Sequence, residues 1–199
     1  MNLVDVTEVP EPALPLDAFK EHLRLGSGFT DDGLQDALLA GFLRAAMAAV
    51  EARTDKILIE HEMALTLTRW RDGAAQVLPI APVSAITGVV VIDSADQEIP
   101  VAPERYRLIL DGHRPVLEPR GGLLPAIPVG GAVRIGMLTG FGPDWTDVPG
   151  DLAQAALLLA AHYYEFRSET DLGAGCMPFG VTVLMERYRT YRLGGGAAT

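Results

Sequence analysis

The sequence predicts an α+β protein of about four helices with an antiparallel, β-rich insertion between the N- and C-terminal helices. Three observations carry that prediction. The apolar residues follow a helical period at both ends of the chain, the period changes to two between Lys56 and Gly142, and prolines and turn dipeptides concentrate in that middle stretch. The expected organisation is an extended N-terminal arm over 1–15, helical segments over 16–55 and 143–192, the β-rich insertion over 56–142, and a flexible C-terminal tail over 193–199.

Taken in order, residues 1–15 hold three prolines and several acids, the composition of an arm. Leu16 to Leu25 reads as a short amphipathic helix with Leu16, Phe19 and Leu23 on one face, ended by Gly26-Ser27-Gly28. Thr30 is the expected N-cap of the next helix, and Asp31 and Asp32 suit its first turn. In that helix Leu34, Leu38, Gly41, Ala45, Ala48 and Ala52 recur at heptad-like spacing. This seam of small residues is expected to let another helix approach, and the helix is expected to run to about Thr54.

From Ile59 to Trp70 the residues Ile59, Met63, Leu65 and Leu67 share one face of a strand. Arg71-Asp72-Gly73 turns the chain into a short strand at Gln76 to Ile80. Pro82 to Ile86 leads into a strand at Val89 to Asp93, followed by a turn at Ser94-Ala95-Asp96. Strands at Arg105 to Leu110 and Pro115 to Glu118 flank a turn at Asp111-Gly112, and the last strand is Ala132 to Thr139. Short strands at this spacing predict an antiparallel meander, and the interspersed prolines make its edges poor partners for aggregation.

The longest well-signalled helix opens at Val148-Pro149-Gly150-Asp151 and runs to Arg167. Asp151 suits the positive end of the helix dipole. Leu152, Ala155, Leu159, Tyr163 and Phe166 form one apolar face, yet Leu157, Leu158, Ala161 and Tyr164 make the other side apolar too. A helix apolar all round is covered by protein on both sides, and this one is shorter than the ~20 apolar residues of a membrane span. Leu157, Ala161 and Tyr164 are therefore the candidates for packing against another helix or subunit. After a glycine-rich turn over 173–178, a last helix from Phe179 to about Tyr191 carries Val183, Leu184 and Tyr188 beside basic Arg187, Arg189 and Arg192.

Composition excludes several classes of function. At 199 residues the chain holds one domain, or one domain with an insertion, and its 49% hydrophobic and 21% charged residues are those of a folded soluble protein. A net charge of −10 has the wrong sign for gripping phosphates, although it suits a wall past which DNA slides without sticking. The single cysteine, Cys176, excludes an intrachain disulfide and a cysteine-cluster metal site. Met1 to Val6 lacks the basic start and apolar run of a signal peptide, so the chain is expected to be cytosolic at synthesis.

No constellation of catalytic residues emerges. His22, His61, His113 and His162 are scattered. His61 stands between Glu60 and Glu62, but alternate strand residues point to opposite faces. His162 and Glu165 reverse the Glu-x-x-His order of carboxylate di-metal sites and have no partner motif, which favours a packing role. The glycine runs lack the strand–glycine–helix context of a phosphate loop. Asp144, Trp145 and Asp147 fall in a Pro-Gly-rich loop and read as turn chemistry. Cys176 has no histidine nearby in sequence, and the arginine run is either a solvated face or a dock for an acidic partner. Neither metal nor cofactor is expected.

The order of these pieces resembles a known family. Leu65 to Trp70, Val77 to Ile86, the Tyr106 strand, Val133 to Gly142, Val148 to Ala155, Tyr163 to Arg167 and Pro178 to Val181 follow one another as in the head–tail connector (adaptor) proteins of long-tailed bacteriophages and gene transfer agents. The subgroup resembled carries a β-rich insertion, and the likeness spans roughly residues 16 to 192. It implies a helical connector core and a non-enzymatic homo-oligomeric ring, usually of twelve subunits. The ring docks under the portal protein in the particle neck, extends the channel through which double-stranded DNA passes, and receives a stopper or tail-completion protein. By position, Arg187, Tyr188, Arg189, Tyr191 and Arg192 are the implied portal contacts, and deleting 187–199 is expected to block attachment while leaving the domain folded. Two rival readings stand beside it. One is a small-molecule- or metal-binding domain using His61, Glu60 and Glu62. The other is an assembly chaperone absent from the finished particle.

Overall fold

The computed structural model describes residues 1–24, 33–167 and 177–189. The expectations for Gly26 to Gly28, Thr30, Asp31, Asp32, the 173–176 turn with Cys176, Tyr191, Arg192 and the tail lie outside those residues. The described residues form four helices and two antiparallel sheets, an α+β fold. The helices are α1 (Leu16–His22), α2 (Gly33–Thr54), α3 (Gly150–Glu165) and α4 (Phe179–Met185). The strands are β1 (Asn2–Asp5), β2 (His61–Leu67), β3 (Gln76–Val77), β4 (Val83–Ile92), β5 (Glu98–Pro100), β6 (Tyr106–Ile109), β7 (Val116–Pro119) and β8 (Ala132–Thr139).

The strands do not form the expected meander. One sheet runs β1-β2-β8-β4-β5 and the other β3-β7-β6. β8 is central because Val133, Ile135 and Met137 are all fully buried, and they need apolar neighbours on both sides. β2 supplies Leu65 opposite Ile135 and Met63 opposite Met137, and β4 supplies Val89 and Val91 opposite Ile135 and Val133. Turn signals in the sequence report only local hairpins, so this long-range pairing was invisible to them. β1 pairs Asn2–Asp5 with Thr66–Met63, which makes the start of the arm an edge strand. Both β1 and β5 are too short to show an alternating pattern.

Two apolar clusters organise the molecule. The helical one centres on Phe19, Leu39, Leu43, Met47, Val50, Leu152, Leu159, Val181, Met185 and Tyr188. The other is built from sheet residues such as Leu65, Leu117, Ile135 and Met137. They meet at Ile57-Leu58-Ile59, where Ile57 joins the sheet cluster and the next two residues join the helical one. That junction follows from how α2 stops. Asp55 turns into the left-handed region at φ 56°, and its N–H still reaches the Glu51 carbonyl at 2.8 Å. The Thr54 hydroxyl donates to the Val50 carbonyl and accepts the Lys56 N–H. The chain thus leaves the helix with its backbone groups satisfied and passes directly between the two cores.

The buried face of α2 is not the expected seam. Leu38, Gly41, Ala45, Ala48 and Ala52 are exposed, whereas Leu39, Leu43, Ala46, Met47 and Val50 are buried. Both sides of this helix are apolar, so periodicity alone does not choose between them. Side-chain size does, because Leu, Met and Val remove far more apolar area from water than Gly or Ala. The last helix is also shorter than its apolar pattern predicts. After Met185 it tightens into a 3₁₀ turn over Glu186–Tyr188, which eclipses Met185 and Tyr188 and buries both.

Candidate assembly surfaces

The basic C-terminal segment is held against the start of α3. Asp151 lies in the first turn of that helix, and its carboxylate takes the Arg187 Nε at 3.2 Å. The Arg187 guanidinium lies 4.6 Å from the centroid of the Tyr188 ring and donates to its hydroxyl. Arg187 stays largely exposed, but Tyr188 is 8% exposed and belongs to the helical core. In the chain by itself the ring of Tyr188 is thus turned into the helical core. Arg189 is half-buried and pairs with Glu186 at 3.4 Å. Of the five arginines and tyrosines singled out from the sequence, Arg187, Tyr188 and Arg189 are brought together here, and Tyr191 and Arg192 lie outside the described residues.

Leu157, Ala161 and Tyr164 are half-buried on α3 and pack at the margin of the helical core. Tyr164 meets Phe42 of α2 edge-to-face, with ring centroids 6.0 Å apart. Arg167 lies 4.5 Å over the Tyr164 ring and donates to the Tyr164 carbonyl at 2.7 Å. Within the chain, α2 thus covers part of this face. His162 packs against Phe166 with ring centroids 4.6 Å apart and the rings tilted by 47°, the packing role its sequence position favoured.

Several large apolar side chains are exposed, among them Val6 of the arm, Ile99, Leu110, Leu123 and Val129 of the β-rich part, and three on helices. On α4, Phe179 is 84% exposed and Val183 56%, while Val181 and Met185 are buried. On α2 the outward row is Leu38, 48% exposed, with Gly41, Ala45 and Ala48.

His61 lines a cavity of about 190 Å³ with Asp5, Val9, Leu14, Arg44, Met47 and Glu51. Its Nε2 lies 3.1 Å from the Asp5 carboxylate and its Nδ1 2.9 Å from the Ile59 carbonyl, so both ring nitrogens are engaged. Glu60 and Glu62 turn away from it, accepting hydrogen bonds from the Ser84 and Thr87 hydroxyls at 2.7 and 2.8 Å. The triplet His61, Glu60 and Glu62 does not converge. Among the described residues no group of three or more His, Cys, Asp or Glu side chains is placed to hold a metal. In the same cavity Glu51 accepts the Leu58 N–H at 2.9 Å, and burial pushes its carboxyl pKa up. Asp144 and Asp147 form the capping box of the 3₁₀ turn before α3, which is turn chemistry.

One residue escaped the sequence reading entirely. Lys56 is 1% exposed, and its Nζ has no hydrogen-bond partner among the described residues. Desolvation pushes its pKa down, with Asp55 and Asp111 opposing the shift. Nothing in the strand pattern marks a lysine at a strand edge as buried; its burial follows from lying between two cores.

The described residues thus present apolar helix surfaces and bring together no group of His, Cys, Asp or Glu side chains placed to hold a metal. Neither a family model nor a curated protein matches the chain. Solved structures do. A chain in the neck of an empty gene transfer agent (GTA) particle, computed with C6 symmetry, is 52% identical, with TM-score 0.89 and coverage of 98% of this chain and 99% of that one. A chain in the neck of a native GTA particle, computed with C12 symmetry, is 48% identical, with TM-score 0.84 and the same coverage. A chain in the virion of a native gene transfer agent particle is 52% identical, with TM-score 0.85 over 98% and 99% of the two chains. The chain belongs to this family of gene transfer agent neck proteins. It is a structural virion component of the neck, not an enzyme, and the cyclic symmetry of the matched necks supports an oligomeric ring within the particle. No helix among the described residues is long and apolar enough to cross a membrane.

Proposed function

We propose that this chain is the head–tail connector (adaptor) subunit of its particle. In this reading a ring of the subunits sits under the portal, continues the DNA channel and offers a docking platform to the stopper or tail-completion protein. The observation that carries the reading is end-to-end likeness, 52% identity over 98% of the chain, to a protein of a gene transfer agent neck. The C12 symmetry of one matched neck supports a ring of twelve. A net charge of −10 suits a channel wall that repels the phosphate backbone and so lets DNA pass. Residues 16–55 and 143–192 act as the connector core, and 56–142 forms the outer or tail-facing part. Arg187 and Arg189, with Tyr191 and Arg192, are the proposed portal contacts, and Tyr188 serves as their anchor in the core. Leu157, Ala161 and Tyr164 are the proposed packing face toward a neighbour.

Cryo-electron microscopy of the neck tests this. The expected result is a ring of this chain between portal and tail, and empty density there would sink the reading. Mass spectrometry of purified particles separates it from an assembly chaperone, which would be absent from them.

A further inference from the structure

We propose that neighbouring subunits of the ring are joined by the Phe179–Val183 face of α4 in one copy seated on the outward face of α2 in the next. The inference rests on the ring reading above. Phe179 and Val183 are four residues apart and so share one side of α4, opposite buried Val181 and Met185. A surface phenylalanine at 84% exposure beside a valine at 56% is an apolar knob that the chain itself leaves open. The outward row of α2 is its complement. Leu38, Gly41, Ala45 and Ala48 present one leucine and otherwise almost no side chain, so a partner's bulky residues can approach the backbone. At 1.5 Å per residue, 22-residue α2 is about 33 Å long, ample for a seven-residue helix.

Symmetry selects a second copy as the occupant. A closed ring needs a heterologous contact, in which two different patches of the chain meet, whereas a two-fold dimer needs one self-complementary patch. The knob and the flat face are different in shape, lie on different helices and are both exposed among the described residues. The portal contacts proposed above lie on the basic 3₁₀ turn, which leaves the α4 knob for another partner.

The test uses the full chain in assembled particles. Cys176 is first replaced by Ser, and Ala45→Cys and Val183→Cys are introduced singly and together, followed by a short bismaleimide cross-linker. The expected result is a ladder of multiples of this chain from the double variant, and none from either single variant. A ring visible in the same particles without the ladder, or Val183→Cys linked to a different protein, would overturn the inference while leaving the ring reading intact. Particles with no ring would overturn both. Carbene footprinting of the wild-type chain is independent of the cysteines. Phe179 and Leu38 should label in the free chain and lose most of that labelling in particles, and labelling retained in particles would overturn the proposal.

Discussion

Among the described residues burial disfavours the charged forms of Lys56, Glu51 and Tyr106, and the first two make pH-dependent predictions. Burial lowers the Lys56 pKa, so its cost is fully present below the folded value and disappears as pH rises toward the ordinary lysine value of about 10.4. Lys56→Met removes a buried amine that has no hydrogen-bond partner among the described residues, and should stabilise the chain by roughly 1–3 kcal/mol near neutral pH. The gain, read as the difference from wild type in urea unfolding, should shrink in alkali. A difference is needed because the raised pKa of Tyr106 acts in the opposite sense there. Glu51 behaves inversely. Its folded pKa is raised, so the stability it contributes is fully present below the ordinary glutamate value of about 4.3 and is lost as pH rises through the folded value. Glu51→Gln keeps an acceptor for the Leu58 N–H and should flatten that slope as pH rises above the ordinary glutamate value of about 4.3. A stability profile unchanged by the substitution would show that Glu51 does not carry the slope. Neither residue could be read from sequence, because each owes its shift to neighbours far along the chain.

At the scale of the element, α2 gives the sharpest test of packing. Leu43→Ala empties a fully buried position and should cost about 2–5 kcal/mol, while Leu38→Ala on the outward face should stay within about 0.5 kcal/mol in the dilute free chain. Equal costs at the two positions would show that the faces are assigned wrongly. The end of α2 and both ends of β8 were legible, since α2 ends at Thr54 and β8 spans Ala132–Thr139 as read from the period. The facing of α2 was not, since Ala and Gly on one side and Leu and Met on the other both fit a helical repeat. The end of α4 failed for a related reason. Apolar spacing continues through Tyr188, but burying that ring beside Met185 is achieved by a tighter turn.

For the whole molecule, the C-terminal segment separates folding from attachment. Deleting 187–199 does more than free a tail, because it removes Tyr188 from the helical core and the Arg187–Asp151 pair from the start of α3. Losing a buried aromatic costs about 3–5 kcal/mol, so that deletion should destabilise the domain. Arg187→Glu with Arg189→Glu leaves Tyr188 in place. This double variant should keep the wild-type circular dichroism spectrum and lose far less stability than the deletion, while losing portal binding in a pull-down. Retained binding would move the portal contact elsewhere.

The sequence by itself determined that the chain is α+β, where most helices and strands lie, that no catalytic set is assembled locally, and which family its ordered motifs resemble. These are readings of local period, turn chemistry and motif order, and they need no knowledge of distant neighbours. Tertiary structure alone decided that β8 is central, that α2 turns its larger side chains inward, that His61 pairs with Asp5 rather than with its flanking glutamates, and that Lys56 is sealed between two cores. Each depends on which distant surfaces meet. When both sides of an element are apolar enough to be buried, the area removed from water across the whole fold makes the choice.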